Sequence, residues 1–103
     1  MAIKSGAEPV QKFDELVSYF ESGNKPREAW RIGAEHEKFV FHLDTLRRPT
    51  YEGPDGIEAM LNGLTRFGWK PYEENGKVIA LLRDGASVTL EPGGQFELSG
   101  APL

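Results

Sequence analysis

Two dipeptides constrain this chain more than anything else in it: Asn75-Gly76 and Asp84-Gly85. Each suits a two-residue type I′ hairpin loop, in which both central residues take positive φ. Together they divide residues 69 to 99 into consecutive antiparallel strands, a meander of Trp69 to Glu74, Lys77 to Arg83 and Ala86 to Ser99. The middle run, Val78-Ile-Ala-Leu-Leu82, does not alternate, which predicts a strand covered on both faces. The last run does alternate. Ala86, Val88, Leu90, Phe96 and Leu98 fall on one side, and Ser87, Thr89, Glu91, Gln95, Glu97 and Ser99 on the other. Pro92-Gly93-Gly94 interrupts the run where proline cannot donate to a ladder and glycine allows positive φ, so a bulge or tight bend is expected there.

Upstream the period changes. Val10, Phe13, Leu16, Val17 and Phe20 recur at three and four, predicting an amphipathic helix with Pro9 in its first turn and Ser22-Gly23-Asn24 as its stop. Such a helix packs a core and carries no chemistry. Pro26 to Ala29 reads as a connector, and Trp30 to Phe41 as a strand. On that strand Glu35 and Glu37 share a face with Gly33 and Phe39, while His36 and Lys38 share the other with Ala34 and Val40. Residues 43 to 56, dense in Pro, Gly, Asp and Thr, read as a loop of the kind that is either a lid or a plain connection. A second helix follows with Ile57, Met60, Leu61, Leu64 and Phe67 on one face, Asp55 as its cap and Gly68 as its end. Residues 1 to 7 show no periodicity. The order helix, strand, helix, meander gives one α+β domain over residues 1–103: an antiparallel β-sheet with two helices on one face and the carboxylates on the other.

Composition narrows the ligand. A net charge of −4 leaves only the short basic clusters Arg47-Arg48 and Lys25 to Arg31, so nucleic acid is not the expected partner and a divalent cation is. The absence of cysteine removes disulfides, thiolate metal sites and a thiol nucleophile. No apolar run is long enough for a membrane span, and the first residues lack the apolar segment of a secretory signal, so no membrane association is expected and the cytoplasm is the default compartment. Adjacent carboxylates on one strand face repel unless a cation lies between them, which makes Glu35 and Glu37 candidate metal ligands; the competing reading is a solvated edge. His36 is either a general base or phosphate contact, or a histidine bonded to a carbonyl.

Gly33-Ala-Glu-His-Glu-Lys-Phe39 and Leu90-Glu-Pro-Gly-Gly-Gln-Phe-Glu-Leu-Ser-Gly-Ala-Pro102 both resemble signature segments of the glutamate-cysteine ligase family of plants and proteobacteria. The likeness runs over nearly the whole chain, with the helix, Gly-Trp and Asn-Gly turns in the same order, and corresponds to the amino-terminal portion of a several-fold longer family member. It implies a glutamine-synthetase-like fold whose polar sheet face holds ATP, Mg²⁺ and glutamate. It also implies the first step of glutathione biosynthesis, in which the γ-carboxylate of glutamate is joined to the amine of cysteine. Carried over residue by residue, Glu35, Glu37, Glu91 and Glu97 are the metal carboxylates. Gln95 and Ser99 are substrate-binding groups, and the amides of Gly93 and Gly94 approach the ligand. No residue stands out as a general base. The expected partners are these small molecules, with self-association through an exposed sheet edge. The chain alone is expected to be inactive; the alternatives are a small non-catalytic module that binds a metal or an amino acid, and a structural domain with an acidic face.

Overall fold

The computed structural model describes residues 8–103; the reading of residues 1 to 7 lies outside them. The chain divides into two compact units, ending and beginning at Trp30 and Arg31.

In the first unit, α1 (Phe13–Ser22) starts later than expected, with Pro9 ahead of the helix and Lys12 extended at φ −137°, ψ 149°. The entry is set by an acidic first turn, Asp14 and Glu15, which suits the positive end of the helix dipole. Glu15 Oε2 also accepts the Gln11 N–H at 2.8 Å. The helix stops where expected, Gly23 donating its N–H to the Phe20 carbonyl. The apolar stripe is present, but no residue of α1 is buried. A 3-10 turn over Arg27–Ala29 follows, and the Trp30 indole N–H donates back to the Lys25 carbonyl at 2.9 Å.

The second unit is a five-stranded, wholly antiparallel sheet carrying a helix on one face. Its strands are β1 (Glu35–Phe39), β2 (Lys70–Glu74), β3 (Lys77–Arg83), β4 (Ala86–Leu90) and β5 (Gln95–Ser99), in the spatial order β1-β5-β4-β3-β2. The meander is as the turns dictate: Asn75 and Gly76 take φ 50° and 74°, Asp84 and Gly85 take 48° and 81°, so both hairpins have the positive φ pair of type I′. β1 is shorter than the run Trp30 to Phe41 suggests. Before it, the pairing with the chain end continues only as two bonds between Ile32 and Leu103 and one from Gly100 N–H to the Ala34 carbonyl.

The N-cap of α2 (Ile57–Leu64) is Gly56 rather than Asp55, with no side-chain cap; the first helical N–H groups, of Ile57 and Glu58, donate instead to the Thr50 and Tyr51 carbonyls. A Cβ at Gly56 would lie 2.4 Å from the Glu52 carbonyl oxygen, so only glycine fits that close passage. The helix runs on through a 3-10 turn, Thr65–Phe67, and ends at Gly68 in the left-handed conformation, φ 87°, as its position in the sequence indicates. Ile57 and Leu61 of α2 pack on Val78, Leu81 and Val88 to form the core, with Val40, Tyr51, Leu64, Trp69, Leu90 and Phe96 around it.

The middle strand departs from expectation. β3 is covered along one face by α2, whereas on the other Ala80 is buried but Leu82 is about half exposed, so the second face is covered only in part. Its apolar run fails to alternate because of a β-bulge: Tyr72 pairs with Ala80 and Glu73 with Val78, leaving Ile79 as an extra residue. The inserted residue turns Val78 to the same side as Leu81, three positions on, which a regular strand forbids. The loop of residues 43–56 is fastened to the start of this strand. Tyr51 donates its hydroxyl to the Val78 carbonyl at 2.8 Å, and Lys77 Nζ meets Glu52 Oε1 at 2.6 Å while lying over the Tyr51 ring. Among the described residues no helix is long and apolar enough to cross a membrane.

Candidate functional site

Residues directly opposite in an antiparallel ladder point to the same side of the sheet. The register therefore builds the uncovered face in rows. Glu35 stands opposite Ser99, Ser99 opposite Ser87, Ser87 opposite Leu82, and Leu82 opposite Lys70. In the next row Glu37 faces Glu97, then come Thr89, Ala80 and Tyr72. Phe39 faces Gln95. Glu35, Glu37 and Glu97, from two segments sixty residues apart in sequence, thus share one surface, away from α2. His36 and Lys38 point to the other side, beside Val88, Phe96 and Leu98, around a hollow of about 400 Å³. Neither side chain is on the acidic face.

Three hydrogen bonds tie the donors of this face to its carboxylates. Thr89 Oγ1 donates to Glu91 Oε1 at 2.6 Å, Ser99 Oγ to Glu97 Oε1 at 2.8 Å, and Gln95 Nε2 to Glu37 Oε2 at 3.4 Å. Gln95 and Ser99, expected to meet substrate, here orient acidic side chains. The bend between β4 and β5 is a 3-10 turn, Pro92–Gly94, closed by Glu91 N–H to the Gln95 carbonyl at 2.8 Å and Gly94 N–H to the Glu91 carbonyl at 3.1 Å. The Gly94 amide, expected to face a ligand, is therefore engaged within the turn. Gly93 and Gly94 are both left-handed, φ 81° and 77°, with open space where a Cβ would stand.

The electrostatics follow from this crowding. Glu37 is held above the ordinary carboxylate range, first by a hydrogen bond shared with the Glu97 carboxyl, then by loss of hydration and by the charges of Glu97, Glu91 and Glu35. All three neighbours act in the same sense, so Glu91, although beyond the ladder, belongs electrically to the cluster. Among the described residues no cation is ion-paired with any of the four; the ion pairs Lys77 with Glu52 and Arg83 with Asp84 involve other carboxylates. No three His, Asp or Glu side chains of the described residues are gathered at metal-binding distance. The donor set nonetheless fits magnesium, which takes one or two carboxylates from a protein and completes its shell with water and phosphate oxygens.

The residue that sequence reading passed over is Arg48. In sequence it is only part of a short basic cluster, whereas its Nη1 donates to the Gly93 carbonyl at 3.2 Å across the turn that carries Glu91 and Gln95. Nothing in the spacing of a loop arginine signals a contact made 45 residues away.

Fold and site together define an α+β protein with a two-layer unit: helix and apolar core on one side of an antiparallel sheet, an acidic surface rich in oxygen ligands and hydroxyls on the other. The chain belongs to glutamate-cysteine ligase family 2 (GCS2), whose profile matches residues 31–103. It is 57% identical over 97 residues to glutamate–cysteine ligase A, chloroplastic, of Oryza sativa subsp. japonica, covering 93% of this chain and 19% of the relative. It is 54% identical over 98 residues to the chloroplastic glutamate–cysteine ligase of Solanum lycopersicum, covering 94% and 18%. With the chloroplastic enzyme of Arabidopsis thaliana it shares 50% identity over 97 residues, 93% of this chain and 18% of that one. The chain spans about a fifth of the length of these curated relatives. Their names overturn the cytoplasmic expectation, since all three relatives are chloroplastic. That expectation rested on the lack of an apolar secretory segment, and plastid sorting segments are not apolar in that way, so the observation never bore on the chloroplast.

Proposed function

We propose that this chain forms part of the active-site sheet of an ATP-dependent ligase that joins the γ-carboxylate of glutamate to the amine of cysteine, the first step of glutathione biosynthesis. The observation that carries the reading is the register pair Glu37 and Glu97, flanked by Glu35 and Glu91 on one uncovered face, in a chain of this family. Glu35, Glu37, Glu91 and Glu97 are the groups that would hold Mg²⁺. When bound, the metal neutralises phosphate oxygens and aligns the nucleotide for transfer.

The chain's own residues have defined tasks in this scheme. The carboxylates supply hard oxygen ligands on a rigid, twisted sheet, so their spacing is fixed before substrate arrives. Thr89, Ser99 and Gln95 set the orientation of Glu91, Glu97 and Glu37 by donating to them. A carboxylate oxygen of glutamate attacks the γ-phosphorus of ATP, the bond to the β-phosphate oxygen breaks, and ADP leaves with that electron pair. The cysteine amine then attacks the activated carbonyl carbon, its proton passing to water or to the departing phosphate, and phosphate leaves with the C–O electrons. No side chain of this chain is needed as base for either displacement, positioning and charge neutralisation being the main contributions.

The test is made on the full-length protein. With ATP, Mg²⁺, glutamate and cysteine it should form γ-glutamylcysteine with stoichiometric ADP, and Glu37→Gln and Glu97→Gln should each lower kcat/KM at least about 100-fold. Wild-type rates in both variants would remove the carboxylates from the site. The 103-residue chain alone should release no ADP above blank.

A further inference from the structure

We propose that Arg48 is a positioning residue for the acidic face, holding the Glu91 to Gln95 turn in the one geometry that places both side chains over the sheet; the inference rests on the ligase reading above. The tip of the turn has little side-chain support of its own. Gly93 and Gly94 contribute no side chains, adopt φ 81° and 77°, and have no atom within 4 Å of where a Cβ would lie. A Gly-Gly turn of this kind has many accessible backbone states, and ordering it costs more entropy than ordering other residues. Two backbone hydrogen bonds close it, from Glu91 N–H to the Gln95 carbonyl and from Gly94 N–H to the Glu91 carbonyl. The third hold is the 3.2 Å bond from Arg48 Nη1 to the Gly93 carbonyl.

Arg48 can perform this task because its own loop is locked. His42 N–H donates to the Arg47 carbonyl at 2.9 Å, and Leu46 N–H to the His42 carbonyl at 2.8 Å. Arg47 N–H is held by Thr45 Oγ1 at 3.3 Å. These bonds keep Leu46 at φ 56°, a conformation a branched side chain rarely takes and that persists only where its surroundings fix it. The locked turn delivers Arg48 directly afterwards, where it shares a hollow of about 330 Å³ with Phe39, Val40, Phe41 and Leu46. Phe39 is the next residue after Glu35 and Glu37 on the acidic face of β1. One side of the hollow is therefore the end of the site strand, and Arg48, which also lines it, reaches the turn through its bond to Gly93.

What the bridge fixes is the position of two side chains. Glu91 enters the turn with its carboxylate held by Thr89, and Gln95 leaves it with its amide on Glu37. Freed from Arg48, the turn would carry both away from the Glu37 and Glu97 pair without unfolding the sheet. Arginine suits the task because its planar fork approaches a carbonyl in a fixed orientation, while lysine offers a single flexible donor and would retain the contact in part.

The test uses the full-length protein with Arg48→Ala and Arg48→Lys. Without metal or nucleotide, amide hydrogen exchange across residues 91–95 should quicken about 10-fold in R48A and less in R48K, with Lys77–Arg83 unchanged. The Mg²⁺ concentration for half-maximal rate should rise about 10-fold in R48A, the scale of losing a group that orients metal ligands, while KM for cysteine stays the same. Unaltered exchange at 91–95, or a slower rate with no change in Mg²⁺ dependence, overturns the proposal. If R48A does not fold, R48K carries both comparisons, with about a 3-fold change expected on the same grounds. A wild-type protein that forms no γ-glutamylcysteine would refute the ligase reading, and the exchange measurement would still decide the role of Arg48.

Discussion

Glu37 and Glu97 stand opposite each other, each accepting a hydrogen bond from a neutral neighbour, Gln95 or Ser99, and the crowding of the two carboxyls gives the site a definite pH signature. Because its folded pKa is raised, Glu37 holds a proton that the unfolded chain has already lost in the range above about 4.5, its ordinary value. Its contribution to stability is thus complete below that value and disappears as the pH climbs through the folded pKa. Substituting Glu97→Gln removes the largest cause and leaves an amide that can donate to the charged form. The Glu37 carboxyl carbon, followed by NMR, should then titrate lower, and the loss of stability with rising pH should shrink; an unmoved titration would show that Glu97 is not its partner. At this scale the sequence was informative about identity and uninformative about contact. Alternation alone put Glu35, Glu37, Glu91 and Glu97 on polar faces, but which two would meet depends on the β1–β5 register, and that is set by pairing over some sixty residues. The use of Gln95 and Ser99 to steady carboxylates was hidden for the same reason.

Elements whose signals are local were legible in advance. Both hairpins, the Pro92-Gly-Gly bend and the end of α2 at Gly68 follow from residues that must take positive φ or cannot donate, and they stand where those residues stand. Elements decided by tertiary contacts were not: α1 begins at Phe13 rather than near Pro9, Gly56 replaces Asp55 at the cap of α2, and β3 carries a bulge that mimics the pattern of a strand buried on both sides. The bulge makes a sharp contrast measurable in adjacent residues. Leu81 is wholly buried under α2, whereas Leu82 is about half exposed on the opposite face. In urea unfolding of this chain Leu81→Ala should cost about 2–5 kcal/mol through lost contacts and the cavity left behind, and Leu82→Ala no more than about 1 kcal/mol. Equal costs would mean that β3 is covered on both faces after all. Tyr51→Phe tests the loop tie separately: it deletes the hydroxyl bond to the Val78 carbonyl and should cost about 1 kcal/mol.

For the molecule as a whole, the two faces of the sheet create opposite demands. On one, Ile57 and Leu61 of α2 keep water from Val78, Leu81 and Val88; on the other, carboxylates are concentrated on β1 and β5 without a paired cation among the described residues. Repulsion on the second face opposes what burial on the first contributes, so a ligand that neutralises Glu35, Glu37, Glu91 and Glu97 should stabilise the folded chain in proportion to RT ln(1 + [L]/Kd). Since no three carboxylates are gathered to form a closed cage, magnesium alone should bind weakly, completing its shell with water, and phosphate oxygens should be needed to raise its affinity. The melting temperature of this chain should therefore rise little with millimolar MgCl₂ at constant ionic strength. It should rise further when ATP is added with the metal, and ATP without metal should give no rise, because its charge repeats that of the face. Glu37→Gln combined with Glu97→Gln should abolish the joint effect and raise the melting temperature of the free chain at neutral pH, since the central pair of repelling charges is then removed. Tight binding of magnesium by itself would instead describe a self-sufficient metal-binding module. A joint effect that survives the double substitution would place nucleotide and metal elsewhere on the molecule.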